Sequence, residues 1–166
     1  MKVIFLDIDG VLNNLNWFKS EKYREFEIGD SRANFDPTAI ELLNKLIQKT
    51  DAHIVISSAW RTLYSIKDLE ALFIQVGFKG KIIGKTDALQ DPSSNNPAPR
   101  GYEILQWVKN YQSKRKKPLQ YVILDDYNDF LESQKRHTFI TDPKIGLTSW
   151  LTDQMINFLN NITNDT

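Results

Sequence analysis

Four carboxylates fall at two places where a strand should end. Asp7 and Asp9 follow the apolar run Val3-Ile4-Phe5-Leu6, with Gly10 next, and Asp125 and Asp126 follow Tyr121-Val122-Ile123-Leu124. One acidic residue behind a strand is ordinarily a solvated turn or a helix cap. Two acidic pairs, each closing a short β-branched and aromatic run, ask for more. Such runs read as buried strands of a parallel sheet, and open α/β sheets keep their ligand crevice outside the carboxyl ends of the strands. Side chains alternate along a strand, so Asp7 and Asp9 can point to the same side, and Gly10 frees the next backbone step to turn. Neighbouring anions invite a divalent cation. With oxygen ligands only, and neither His nor Cys close by, Mg²⁺ is the expected ion.

The elements that must hold these groups follow from the pattern along the chain. After Gly10 comes an aperiodic stretch, residues 13–35, with Trp17, Phe18, Tyr23, Phe26 and Phe35 scattered through it. A connection of that length inside a compact domain reads as a flap over the strand ends. Its aromatics either pack it down or, through Trp17 or Tyr23, stack on a substrate. Asp36-Pro37 opens a helix carrying Ile40, Leu43, Leu46 and Ile47. A second strand, Ala52 to Ile56, ends in Ser57-Ser58-Ala59-Trp60-Arg61, which places the serines at the crevice and His53 at the opposite end. Ile66, Leu69, Phe73 and Val76 mark a helix stopped by Gly77. Lys81 to Gly84 is a third strand, and the turn-rich segment to Pro99 is a loop. Arg100-Gly101 opens a helix with Ile104, Leu105, Trp107 and Val108, so Arg100 lies at its amino end. Tyr121 to Leu124 is the fourth strand and His137 to Ile140 the fifth. A last helix carries Leu151, Met155, Phe158 and Leu159, and the tail should fray.

Alternating strands and helices argue a parallel α/β sandwich. With the first strand central, the second and third on one side and the fourth and fifth on the other, both acidic pairs meet at the switch between strands one and four. One domain over residues 1–166 accounts for the length, with the 13–35 flap inserted in it and no second domain required.

Composition narrows the partners. Lys plus Arg and Asp plus Glu are equal at 21 each, so no net field steers the molecule toward nucleic acid or an anionic membrane. The run Lys114-Arg115-Lys116-Lys117 is either a solvated helix end or a local contact for a nucleic-acid backbone. Cysteine is absent, which excludes disulfides, thiolate nucleophiles and cysteine-bound zinc. The first residues enter a strand directly, and no apolar run could span a bilayer. A cytoplasmic, unprocessed chain is expected, its oligomeric state undetermined. Asn161-Ile162-Thr163 matches a glycosylation pattern that has no meaning without a secretory signal.

Asp7-Ile8-Asp9-Gly10-Val11, Ser57-Ser58, Arg100 and Asp125-Asp126 resemble, in order, the four motifs of the haloacid dehalogenase (HAD) superfamily of aspartate-dependent phosphohydrolases. Phe5 through Asn13, Ser58-Ala59-Trp60-Arg61, Arg100 with Glu103-Ile104 and Trp107, Leu124-Asp125-Asp126 and Gly146-Leu147-Thr148 resemble more narrowly the branch named for Swiss Army Knife RNA repair proteins. The resemblance implies a Rossmann-like three-layer sandwich with a parallel five-stranded sheet and no full cap domain. It also implies Mg²⁺ and an aspartyl-phosphate intermediate.

Carried onto this chain, the resemblance makes Asp7 the nucleophile and Asp9 the group that protonates the leaving oxygen and then deprotonates water. Mg²⁺ would be held by Asp7, the Asp9 backbone carbonyl and Asp125, with Asp126 direct or through water and Asp129 behind them. Ser58, or Ser57 if the strand ends one residue earlier, would bond the transferring phosphoryl group. Arg100 stands where the superfamily usually has lysine; its fork can still hold phosphate, and Lys81 and Lys85 are the alternatives. Gly10 and Arg61 are candidates to meet the substrate, with a structural pairing as Arg61's other reading. The expected activity is hydrolysis of a phosphomonoester. An open crevice could admit a small phosphorylated molecule, a nucleotide or a phosphorylated nucleic-acid end. The competing reading is a noncatalytic module that binds a phosphorylated ligand or partner.

Overall fold

A computed structural model describes residues 1–115 and 118–161. Lys116 and Lys117 of the basic run, and the tail from position 162, which completes the glycosylation pattern, lie outside them. The five apolar runs become strands β1 (Lys2–Leu6), β2 (His53–Ile56), β3 (Ile82–Lys85), β4 (Gln120–Asp125) and β5 (Thr138–Ile140). They form one parallel sheet in the order β3-β2-β1-β4-β5, so the chain reverses direction across the sheet between β1 and β4, as the sequence pattern predicts. In chain order the helices are α1 (Leu15–Lys19), α2 (Glu21–Arg24), α3 (Pro37–Thr50), α4 (Trp60–Leu63), α5 (Ile66–Gln75), α6 (Arg100–Ser113) and α7 (Ser149–Asn161).

Strand alternation sends side chains into two cores. Ile4, Leu6, Ile54, Ile56, Val122 and Leu124 pack with Leu43 and Leu46 of α3, Phe73 of α5 and Met155 and Leu159 of α7. On the other face Val3, Phe5, Val55 and Ile123 meet Ile104, Trp107 and Val108 of α6. Burial on both faces is why β1 reads as an unbroken apolar run, each full burial of such a side chain contributing about 1.5–3 kcal/mol. The arrangement is a three-layer, Rossmann-like α/β fold.

Helix starts follow their caps. Asp36 accepts the Thr38 N–H at 2.9 Å ahead of Pro37, and Ser65 and Asp68 form a reciprocal capping box on α5. Gly77 sits just past α5 at φ 86°, a conformation that terminates helices and suits glycine. The amino end of α6 lacks a side-chain cap of its own. Asp129, in the segment after β4, supplies one: its carboxylate accepts the Arg100 N–H at 3.1 Å and its carbonyl the Gly101 N–H at 3.0 Å.

The 13–35 insertion forms α1, α2 and a 3₁₀ turn over Ser31–Asn34. Trp17 is buried, donates its indole N–H to the Ala33 carbonyl at 2.8 Å, and meets the edges of Tyr23 and Phe26. It therefore holds the flap together, which removes it from the stacking candidates. In the basic run, Arg115 lies 5.1 Å over the Tyr111 ring.

His137 is wedged between Tyr121, on which it stacks at 4.5 Å, and Phe158. Nδ1 lies 3.0 Å from the Tyr121 carbonyl, and Nε2 accepts from Arg136 Nε at 3.2 Å, an arrangement that requires the neutral ring. Burial lowers its pKa below 6.5. The unfolded chain then takes up the proton first as pH falls, so this contribution to stability is full above about pH 6.5 and declines below it. Urea midpoints of the wild type should fall between pH 7.5 and 5 more steeply than those of His137→Gln; parallel slopes would refute the assignment.

Candidate active site

The site is built where β1 and β4 run out side by side. The Asp7 N–H donates to the Leu124 carbonyl at 2.9 Å, carrying the ladder one step beyond β1 and setting Asp7 level with Asp125. Asp125 Oδ1 accepts the Tyr127 N–H at 2.9 Å, which turns the chain after β4 and leaves Oδ2 toward the crevice. Among the described residues, Asp7, Asp125 and Asp126 bring one carboxylate oxygen each to within 4.8 Å of one another.

Gly10 is what permits Asp126 to join them. It sits at φ 71°, and a Cβ there would run into the Asp126 carboxylate. Its N–H is taken by Asn13 Oδ1 at 2.9 Å and its carbonyl by Thr141 Oγ1 at 2.8 Å. Both backbone groups of Gly10, a candidate substrate contact, are thus engaged within the protein, and the missing side chain lets a carboxylate approach.

All three clustered carboxylates have raised proton affinity. Burial is the first cause for Asp7, partly offset by hydrogen bonding from Ser58 and the charge of Arg100. Burial and then Asp7 push Asp125 up to about 7; burial first, with a contribution from Asp9, raises Asp126. The nearest cation is Arg100, whose Nη1 lies 3.9 Å from Asp7 and 4.0 Å from Asp125. That nitrogen is buried and finds no hydrogen-bond partner among the described residues. A hard divalent cation suits this all-oxygen, anion-rich donor set.

A test follows from the sign of these shifts. Asp125 holds its proton in the fold to about pH 7 but only to about 3.8 as an ordinary carboxylate, so the associated stability is present at low pH and lost as pH rises through 7. Cation binding should restore it. At about 100 times Kd a ligand contributes about 2.7 kcal/mol, or roughly 5–10 °C in a chain of this size. Thermal melts with and without millimolar Mg²⁺ should show the larger rise at pH 8 and a smaller one at pH 5. Equal rises, or none, would count against the site.

Asp9 is exposed and stands outside the cluster. Trp60 Nε1 donates to its Oδ2 at 2.9 Å and Asn13 Nδ2 to its Oδ1 at 2.9 Å, while the same Asn13 nitrogen reaches the Asn34 carbonyl of the flap at 3.2 Å. Both holders fall within the motifs quoted above, yet spacing alone could not reveal that they converge on Asp9. Of the two serines, Ser58 lies where its hydroxyl lowers the proton affinity of Asp7, and its Oγ accepts the Trp60 N–H at 3.4 Å; the Ser57 hydroxyl is buried with no partner among the described residues.

Arg61 is turned inward, in the structural pairing that the sequence left open beside a substrate contact. Its Nη2 pairs with Glu103 at 2.6 Å and its Nη1 donates to the Ser58 carbonyl at 2.7 Å, with both side chains almost fully buried. The alternatives to Arg100 also lie elsewhere. Lys81 precedes β3, at the end of the sheet away from the carboxylates, and Lys85 donates to the carbonyls of Arg61 and Tyr64.

An all-parallel sheet with carboxylates gathered beyond its central strands defines a HAD-type α/β domain. The chain belongs to the family described as the HAD domain in Swiss Army Knife RNA repair proteins, whose model matches residues 3–150. No curated protein and no solved structure matches the chain. Membership suggests a phosphohydrolase-type function, and HAD domains generally use a divalent metal, for which the Asp cluster is suited. Among the described residues no helix is long and apolar enough to cross a membrane.

Proposed function

We propose that this protein is a Mg²⁺-dependent phosphomonoesterase that works through a phosphorylated Asp7. The observation carrying this reading is the division of labour among four carboxylates: Asp7, Asp125 and Asp126 converge, and Asp9 is held apart by two N–H donors. Asp7, Asp125 and Asp126, with the Asp9 carbonyl, would hold the cation. Bound there, Mg²⁺ offsets the repulsion between a carboxylate nucleophile and an anionic ester.

An Asp7 oxygen attacks phosphorus in line, and the bond from phosphorus to the ester oxygen breaks. Asp9 gives its proton to the departing oxygen. Asp9 then takes a proton from water as that water attacks the acyl phosphate, freeing inorganic phosphate and restoring Asp7. The Ser58 hydroxyl and the unpartnered Arg100 nitrogen serve as donors to the phosphoryl oxygens. Asp129 positions that guanidinium by capping the helix it begins.

The test is a phosphate-release screen with Mg²⁺ across p-nitrophenyl phosphate, sugar phosphates, nucleotides and phosphorylated DNA and RNA ends. Release abolished by chelator supports the enzyme. Mg²⁺-dependent binding of a phosphorylated compound without release from any ester would favour the binding module instead.

A further inference from the structure

The flap and the end of α4 line a half-open cavity of about 540 Å³, with Tyr64 on one side and Tyr23, Glu27, Asp30, Ser31 and Asn34 of the flap among its other walls. We infer that this cavity is the leaving-group subsite and that it takes a nucleoside, with the base lying on Tyr64. The inference rests on the phosphatase reading, since it assigns Asp9 to the leaving oxygen and so fixes the side on which the leaving group must lie.

The Trp60–Tyr64 pair ties the cavity to that acid. Trp60 Nε1 is 2.9 Å from Asp9 Oδ2, and the Trp60 and Tyr64 rings stack with centroids 5.4 Å apart and planes 30° apart. Trp60 covers part of the Tyr64 ring, which is nevertheless 39% exposed and lines the cavity. From the opposite wall, Asn34 is bonded to Asn13, which itself holds Asp9. An ester oxygen at Asp9 therefore leaves the rest of its alcohol pointing toward a flat aromatic surface.

The chemistry of the walls selects among flat groups. A plain aryl ring would bury the Ser31 hydroxyl and the Asn34 amide against carbon, which costs unless they are hydrogen-bonded. A nucleoside offers donors and acceptors to both, and the volume lies in the ordinary range for a site enclosing a ligand of that size. Stacking is indifferent to which base is present, because every base has a π-face.

The experiment compares adenosine and uridine 5′-monophosphates with ribose 5-phosphate. All three present a phosphate on the primary carbon of ribose and differ in whether a base is attached. The wild type should favour both nucleotides in kcat/KM. Tyr64→Ala should lower nucleotide kcat/KM by about 10- to 100-fold more than it lowers that for ribose 5-phosphate, the range expected for loss of one stacked base. Tyr64→Phe should restore the preference. Equal kcat/KM for all three in the wild type, or an equal loss on all three in Tyr64→Ala, would overturn the subsite while the phosphatase stands. No release from any ester, p-nitrophenyl phosphate included, would overturn both.

Discussion

Asp7→Asn is expected to abolish phosphate release and, without added cation at pH 8, to raise the melting temperature. The two effects have one origin. Asp7 is buried, and its charge is the second cause, after burial, of the raised proton affinity of Asp125. Asparagine keeps the shape and removes that repulsion, so the metal-free fold gains. It also removes the proposed nucleophile and one proposed oxygen ligand; loss of a group that forms the covalent bond should cost at least about 1,000-fold in kcat. The same variant should lose most of the Mg²⁺-induced rise in melting temperature. Surviving turnover would remove Asp7 from the chemistry. A fall in melting temperature that accompanies the lost activity would leave unfolding as the explanation.

The strands and their order were readable because each is a short apolar run buried on both faces and closed by polar residues. Asp36-Pro37 announced α3 for an equally local reason. Boundaries moved where the ladder decides them: β3 runs to Lys85, and its register with β2 shifts between Ile54 and Val55, which no period in the sequence records. The site was legible in its carboxylates and not in their supports. Trp60, Asn13 and Asp129 act across distances set by how α4, the flap and the segment after β4 turn, so their partners cannot be read from spacing. Arg61 shows the limit most clearly: an arginine beside a crevice has two chemically reasonable uses, and its pairing with the buried Glu103 of α6 is not visible in spacing.

That pair carries the largest expected effect on stability. Glu103 accepts from Arg61 through Oε2 and from the Leu89 N–H through Oε1 at 3.0 Å, so one buried carboxylate joins α4, the first turn of α6 and the loop after β3. Removing one partner strands the other's charge out of water, at about 3–5 kcal/mol, or roughly 6–20 °C in melting temperature. Glu103→Leu and Arg61→Met should each show that loss, and the double variant should lose far less than their sum, because two matched apolar side chains leave no buried charge behind. Catalysis should not recover with stability. Arg61 also holds the Ser58 carbonyl, and Glu103 stands one turn along α6 from Arg100, so in the double variant the two proposed phosphate donors lose their common brace and kcat should remain depressed. If Arg61 instead touched substrate, Arg61→Met would raise KM at nearly native stability; a melting curve beside a saturation curve separates the two roles.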